Sequence, residues 1–343
     1  MAGYLSQNLR FLVGKIETVA GTMETLTASD FDVRVRDPQI TLNVENDDDN
    51  SRWARGDHGE DHVITGIQTA QVTFTVRCAW SGAVATEPNW AKFLNGCGQK
   101  GIAYTTTGVG YQPRREYDAK TMTIWVYDCQ TGASPSAVCY RLKGCMGTCT
   151  IGADGVGKPW LASFTFSCVV DGVVDVATAD IPAPLGMDTS CSDKMLSNVA
   201  YVGAVSEKIS SFSLDVGNEV TPVLDQSTSS GVAYYMITAR RPRITMNPLA
   251  QLVATRDVWG QWTSGLTGCP NTFRLGIGDT GLDNKFWIQA PKAQLIGAGV
   301  GNREGLVSWD NTFKLLPNGE TGALTDNTFA EEVTFEILQG KRA

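Results

Sequence analysis

The sequence predicts a mainly β protein, because apolar and polar residues alternate along much of the chain, as in half-buried strands. Clusters of Gly, Asn and Asp, which favour turns, separate the alternating stretches, and helical patterns are rare. The apolar positions are Phe31, Val33, Val35; Ile40, Leu42, Val44; Val72, Phe74, Val76; Met122, Ile124, Val126; Phe164, Phe166, Cys168; Phe212, Leu214, Val216; and Val333, Phe335, Ile337.

Two short stretches have helical signals. The first, residues 87–96, has Pro88 near its first turn and Gly96 at its end, which are the preferred places of these residues. The second runs from Asn247-Pro248 to Gly265. We therefore expect one short helix in each half of the chain.

An internal repeat predicts two tandem β domains. At an offset of 172, seven residues match: Leu42 with Leu214, Val44 with Val216, Asn46 with Asn218, Thr73 with Thr245, Trp90 with Trp262, Leu94 with Leu266, and Gly96 with Gly268. The match resumes at shorter offsets, with residues 121–128 against 272–279 and 150–166 against 295–313, so an insertion is expected around 97–119. The predicted units are an N-terminal arm (1–30), a first domain (31–176), a linker (177–205) and a second domain (206–343).

Bulk composition excludes several classes of protein. The net charge of −8 argues against binding nucleic acid by neutralising its phosphates. Nine cysteines without a CxxC pair, and no basic-plus-apolar signal segment, favour synthesis in a reducing cytoplasm. No apolar run approaches the roughly 20 residues that span a bilayer.

Residues 45–66 combine seven carboxylates, two arginines and both histidines of the chain. The spacing does not suit a metal or catalytic site, because His58 and His62 lack the adjacent Glu of a helical zinc motif. Asp47, Asp48 and Asp49 are consecutive, whereas a calcium loop needs acidic residues at alternate positions. The matching stretch 217–235 has no histidine. We therefore predict a long charged hairpin arm, of a kind that suits contact with a neighbouring molecule.

The ordered set of motifs resembles the major tail tube proteins of bacteriophages with long, flexible tails. The set comprises "GKIETVAGTMETLTASD" (14–30), the charged hairpin loop, "EPNWAKFLNGCG" (87–98), "GVGYQPRREYDAKTMTIWVYD" (108–128) and "LKGCMGTCTIGADGVGKPWLASFTF" (142–166). The resemblance implies two tandem tail-tube-like β-sandwich domains, each with a short flanking helix and a long hairpin arm.

In that family, rings of β-sandwich domains stack into a tube with a β-lined channel. Two domains in one chain would imply homotrimeric, pseudo-hexameric rings in the virion tail, with double-stranded DNA passing through without specific binding and without any cofactor or metal. Other tail proteins (tape measure, terminator and distal tail) would be partners. The residues expected in the inter-ring or inter-subunit arm are Asp47, Asp48, Asp49, Arg52, Trp53, Arg55, Asp57, His58, Glu60, Asp61 and His62. Those expected in the N-terminal arm are Lys15, Glu17, Thr18, Gly21 and Thr22.

Two other functional classes compete with this interpretation. A carbohydrate-binding or adhesin module is the alternative, since β-sandwiches with aromatic residues such as Trp53, Trp80, Trp125 and Trp160 often bind sugars. An enzyme is disfavoured, because the chain has only two histidines and no G-x-S-x-G nucleophile motif.

Overall fold

The fold is built largely from antiparallel strands, which confirms the mainly β class. The computed structural model describes residues 5–47, 63–79, 86–104, 108–113, 120–130, 136–177, 180–181, 199–203, 205–265, 273–278, 285–317 and 334–340. The strands are β1 (Leu5–Ile16), β2 (Arg36–Asp47), β3 (Ile64–Arg77), β4 (Gln99–Tyr104), β5 (Gly108–Pro113), β6 (Met122–Gln130), β7 (Ser136–Ala153), β8 (Leu161–Ala177), β9 (Val199–Val202), β10 (Val205–Ser206), β11 (Phe212–Asp215), β12 (Asn218–Leu224), β13 (Val232–Arg240), β14 (Arg243–Met246), β15 (Phe273–Gly278), β16 (Lys285–Ala290), β17 (Lys292–Arg303), β18 (Leu306–Leu316) and β19 (Glu336–Gly340).

The strands form two large sheets and one separate hairpin. The ten-stranded sheet has the order β17-β18-β14-β11-β7-β8-β3-β2, with β6 paired to β7 and β1 paired to β6. The seven-stranded sheet has the order β10-β9-β15-β16-β19-β5-β4, and β12 pairs with β13 alone. Both large sheets contain strands from each half of the chain. The stretch predicted as an insertion contributes the hairpin β4–β5, whose Tyr111 pairs with Ile337 of β19.

One apolar core cluster lies between the two large sheets. It includes Phe164 and Leu214 of the ten-stranded sheet and Leu275 and Ile337 of the seven-stranded sheet. Trp160 joins the halves of the chain, because its ring centroid is 4.3 Å from that of Phe212 and 4.9 Å from that of Phe286. The two halves therefore share their core instead of burying separate ones.

The first predicted helix is present, and the second is shorter than expected. A 3-10 turn (Asn89–Ala91) leads into α1 (Lys92–Gly96), which buries Phe93 and Leu94. In the second half only α2 (Val258–Thr263) is helical. Asp257 begins it by accepting a 2.7 Å hydrogen bond from the Gly260 N–H, a typical N-cap contact. Residues 249–256 are bound to β18 and to local turns, which prevents the helix from extending backward.

Two segments predicted to lie outside the two domains contribute strands to the large sheets. Strand β1, placed in the N-terminal arm, pairs with β6 from Arg10 to Ile16 and belongs to the ten-stranded sheet. Strand β9, placed in the linker, pairs with β15, where Val202 lies opposite Phe273. Both segments alternate apolar and polar residues only briefly, so their sequences alone did not mark them as strands of the sheets.

Candidate assembly interface

The base of the predicted inter-ring arm lies where β2 ends, at Asp47, and β3 begins, at Ile64. The other residues predicted in this arm lie outside the described part of the chain; they are Asp48, Asp49, Arg52, Trp53, Arg55, Asp57, His58, Glu60, Asp61 and His62.

Glu17, predicted in the N-terminal arm, is a buried centre of hydrogen bonds. Its Oε1 accepts from the Thr123 hydroxyl at 3.0 Å and from the Gly144 N–H at 2.8 Å. Its Oε2 accepts from the Thr121 hydroxyl at 2.5 Å and from the Gly21 N–H at 2.8 Å. The residue is only 2% exposed, so this carboxylate joins the N-terminal segment to β6 and β7 from inside the fold.

The other residues predicted in the N-terminal arm also contact their own chain. Lys15 Nζ lies 3.6 Å from a carboxylate oxygen of Asp30, and the Thr18 N–H donates a 2.8 Å hydrogen bond to Glu24. The Thr22 N–H closes a local turn. The sequence motif therefore marks a folded segment anchored within the chain.

The hairpin β12–β13, matched in sequence to the charged arm, folds back onto the first half of its own chain. A Cβ added to Gly144 would lie 2.8 Å from the Tyr234 Cα, and one added to Gly21 would lie 2.6 Å from the Ala233 carbonyl oxygen. The contact buries a second apolar cluster, which comprises Met146, Val169, Val232, Tyr235 and Ile237. This hairpin therefore contacts the other half of the same molecule.

The ten-stranded sheet contains an internal junction between the first and second halves, where β7 pairs with β11. Leu214 lies opposite Ile151 and Asp215 lies opposite Thr150. Both apolar side chains are fully buried there. The Val216 N–H extends the junction with a 3.1 Å hydrogen bond to the Cys149 carbonyl.

We call a row of residues that lie directly opposite one another across neighbouring strands a rung. The two halves of this sheet have matching rungs. Their strands follow in the same spatial order, β2-β3-β8-β7 and β11-β14-β18-β17. The matching rungs are Gln39–Thr73–Thr165–Thr148 and Ser213–Thr245–Thr312–Gly297. Counting along the strands from these rungs matches Ile40 with Leu214 and Ile151 with Val300. The sequence comparison matches Leu42 with Leu214 and Ile151 with Ile296, which differs from this strand-based matching by two and four residues.

The two ends of the sheet, β17 and β2, have no further strand paired to them among the described strands. Each end exposes apolar side chains that the internal junction would bury. Val300 is 71% exposed, although its counterpart Ile151 is fully buried, and Leu42 on β2 is 46% exposed. We define the β17 end by its exposed apolar residues Leu252, Val253, Trp259, Trp262, Ile296, Val300, Leu306 and Val307, and the β2 end by Leu42, Val44 and Ile64.

Helix α2 lies against β17 and contributes to the apolar surface of that end. The Trp262 indole N–H donates a 3.2 Å hydrogen bond to the Ile296 carbonyl. Trp262 is nevertheless 39% exposed, whereas Trp90, its counterpart in the sequence repeat, is 2% exposed and lies near Phe286 of the other half. The first tryptophan is covered by the second half of the chain, and the second has no such cover.

The face of the ten-stranded sheet opposite the core is rich in hydroxyl groups. We call it the hydroxyl face; it comprises Thr73, Thr75, Thr148, Thr150, Ser163, Thr165, Ser213, Thr245 and Thr312, all exposed or half-buried. Thr75 and Ser163 hydrogen-bond to each other across the strands at 3.1 Å. These side chains are uncharged, and the alternation of the strands places Arg243 and Asp215, which lie opposite each other, on the same face.

The tryptophans predicted for sugar binding are not gathered into one surface. Trp160 is fully buried. The Arg141 Cζ lies over the Trp125 ring, 4.8 Å from the ring centroid. Trp53 and Trp80 lie outside the described residues. A different pair, Trp259 and Trp262, is exposed, and the two rings pack edge to face with their centroids 5.9 Å apart.

The fold buries an ion pair and several cysteine thiols, and burial shifts the pKa of these groups. In the second half of the chain, the Arg256 Nε lies 2.6 Å from the Glu207 Oε1. Burial raises the pKa of Glu207, although the guanidinium of Arg256 opposes this shift. Burial also raises the pKa of the Cys97 and Cys145 thiols well above the ordinary value. These thiols are therefore poor nucleophiles.

Neither metal ligands nor a membrane span were found in the part of the chain that is described. No group of three or more His, Cys, Asp or Glu side chains there is arranged to hold a metal ion. None of the helices there has the length and apolar character needed to cross a membrane.

Comparison with known proteins does not assign the chain to a family. No protein-family model matches it, and no curated protein shows significant similarity to it.

Proposed function

We propose that the chain is a structural protein of a bacteriophage tail, whose copies join through their sheet ends into rings that stack into a tube for double-stranded DNA. The observation that carries this proposal is the correspondence between the two open ends of the ten-stranded sheet. The β17 end corresponds to β7 and the β2 end to β11, the two strands that already join inside the chain. A head-to-tail contact of this kind closes into a ring when its rotation allows.

The matching strand order supports two tandem tail-tube-like domains in one chain. The rungs through Thr73 and Thr245 correspond on both sides, and β1 pairs with β6 as β9 pairs with β15. Three chains would then supply six domains around a ring. The ring would have threefold symmetry and approximate sixfold symmetry.

Open sheet edges also favour assembly on physical grounds. β2 and β17 each have 12 residues, and both carry exposed apolar side chains. Long, exposed edges of this kind promote uncontrolled aggregation unless a partner covers them. Regular pairing between copies would satisfy their backbone N–H and C=O groups and bury the apolar surface.

The hydroxyl face is a suitable wall for a DNA channel. It lies on the side of the sheet that faces away from the core, so a closed ring of sheets can present it to the lumen. Its Thr and Ser side chains carry no positive charge, Arg243 on the same face lies opposite Asp215, and the net charge of −8 disfavours binding to DNA. DNA would pass without being retained.

Stacking of rings and attachment to other tail proteins complete the proposed role. We assign ring-to-ring contact to the charged arm from Asp47 to His62, where Arg52 and Arg55 are available for ion pairs with acidic residues of the next ring. Each exposed pair contributes only about 0–1 kcal/mol, so many repeats would be needed. Tape-measure, terminator and distal tail proteins would bind at the tube ends, and the protein would act in the virion without catalysis.

Negative-stain electron microscopy of the purified protein tests the proposal. We expect rings or hollow tubes about 100 Å wide, the scale of a ring of six ~150-residue domains, with threefold symmetry in averaged images. A protein that remains monomeric at all concentrations would refute assembly. Rings of six identical chains would refute the tandem arrangement while leaving tube formation intact.

A glycan-binding function is the second candidate, because Trp259 and Trp262 are exposed side by side. Isothermal titration with oligosaccharides distinguishes it from assembly. If the β17 end is an assembly surface, the rings should form without sugar and the double variant W259A/W262A should lose ring formation. Saturable binding of a sugar to a monomer that does not assemble would favour the module instead.

A further inference from the structure

We propose that residues 40–42 of β2 in one chain pair antiparallel with residues 298–300 of β17 in a second copy, in one defined register. In this register Ile40 lies opposite Val300, Thr41 opposite Gly299, and Leu42 opposite Ala298. The inference rests on the proposed function and deepens it, because it names the surface and the residues through which neighbouring chains join.

The internal junction supplies the register. There Leu214 pairs with Ile151 and Asp215 with Thr150. The matching rungs of the two halves relate Leu214 to Ile40 on β2 and Ile151 to Val300 on β17. Replacing each residue of the junction by its counterpart gives the pairing of Ile40 with Val300.

The side chains fit this register on both faces of the sheet. Ile40 and Ala298 already pack partly against the core, so their neighbours Leu42 and Val300 project to the same side. Pairing would place the exposed Val300 beside Ile40 and the exposed Leu42 beside Ala298. Thr41 and Gly299 would then lie on the opposite side and continue the hydroxyl face between chains.

The glycine at the closest backbone approach of the internal junction has a counterpart on β17. At the internal junction the backbones approach closely at Gly152, where an added Cβ would lie 2.6 Å from the Phe212 carbonyl oxygen. The residue on the corresponding rung of β17 is Gly301, which lies opposite Ser308 as Gly152 lies opposite Leu161. A glycine at this rung of the open end leaves the same space for a second backbone.

Charge does not oppose the contact. Thr41, Leu42, Ala298, Gly299 and Val300 are all uncharged. The pairing strands therefore bring no like charges into direct opposition, which would disfavour a cross-strand pair.

A disulfide link between chains tests the register. The double variant T41C/G299C places one cysteine on β2 and one on β17, at the two ends of the ten-stranded sheet, and a Cβ at Gly299 meets only the Asp310 Cβ, at an ordinary 3.7 Å. Mild oxidation should give linked species up to three chains on a non-reducing gel, and reductant should abolish them. The parent protein and the two single variants should give no such ladder.

A matched control uses the alternation of the strand. In T41C/V300C the second cysteine is shifted by one residue and projects to the other face, so linking should fall at least tenfold. Equal linking in T41C/V300C and T41C/G299C would overturn the register. Rings by electron microscopy together with preferential linking in T41C/G297C would also overturn it, while leaving the proposed function standing.

A charge substitution tests the surface without a disulfide. Val300→Asp changes a side chain that is 71% exposed in the single chain, so folding should be preserved while three-chain particles are lost in native mass spectrometry. Val156→Asp, at a 64% exposed valine in the turn between β7 and β8, should retain those particles. Three-chain particles in Val300→Asp would refute the contact at β17, and failure of the parent to assemble would refute the proposed function as well.

Discussion

Substituting Glu17 by Gln should strongly destabilise the fold, because the carboxylate accepts four hydrogen bonds in a buried site. A glutamine amide has one oxygen, so its NH₂ group must face two of the four donors. A threonine hydroxyl can rotate and accept from the amide, whereas the backbone N–H of Gly21 or Gly144 cannot. One buried N–H is then unsatisfied, and the remaining bonds lose the charge on the acceptor. The expected loss is about 2–4 kcal/mol in the free energy of unfolding.

Urea denaturation followed by tryptophan fluorescence measures this loss. Glu24→Gln is the matched control, because Glu24 lies in the same segment and accepts from the Thr18 N–H at an exposed site. The control should remain within about 0.5 kcal/mol of the parent protein. A Glu17→Gln protein as stable as this control would show that the four hydrogen bonds do not anchor the N-terminal segment.

Three further predictions concern the hairpin contact, a buried acid and the thiols. Gly144→Ala should cost roughly 1–3 kcal/mol of unfolding free energy, since φ is +58° and the new Cβ would meet the Tyr234 Cα at 2.8 Å; an unchanged urea midpoint would contradict that contact. Because burial raises the pKa of Glu207, its stabilising contribution should be present below pH 4.5 and be lost as pH rises through the folded pKa, so the parent should lose stability relative to Glu207→Gln as pH rises above 4.5; a constant difference in melting temperature would refute this. The thiols of Cys97 and Cys145 should react with a disulfide reagent at pH 8 only after unfolding, and rapid labelling of either residue, located by peptide mass mapping, would disprove their burial.

The sequence predicted the strands because the alternation of apolar and polar residues is a local pattern. Alternation at Val72, Phe74 and Val76 indicated a strand with one buried face, and these residues are buried on β3. The matched residues Thr73 and Thr245 lie opposite Gln39 and Ser213, in paired strands of the same sheet. The alignments in β2 and β7 were displaced because alternating strands match each other at any even shift.

The same patterns did not predict the length of the helix in the second half or the burial of Glu17. Residues 247–265 have apolar spacing that suits a helix, but contacts with β18 hold the part before α2 in another conformation. Glu17 reads as a polar residue of an exposed arm. Its partners Thr121, Thr123 and Gly144 are more than 100 residues away in sequence, so no local signal indicated its burial.

The amino-acid sequence alone determined the mainly β class and the position of the first helix, because side-chain periodicity and turn residues act over a few positions. Only the tertiary structure decided that β7 joins β11, that the second hairpin covers the first half, and that β2 and β17 are left unpaired on one side by the described strands. Strand pairing joins residues far apart in the chain, and the choice of partner depends on which faces and edges remain after the whole core has packed.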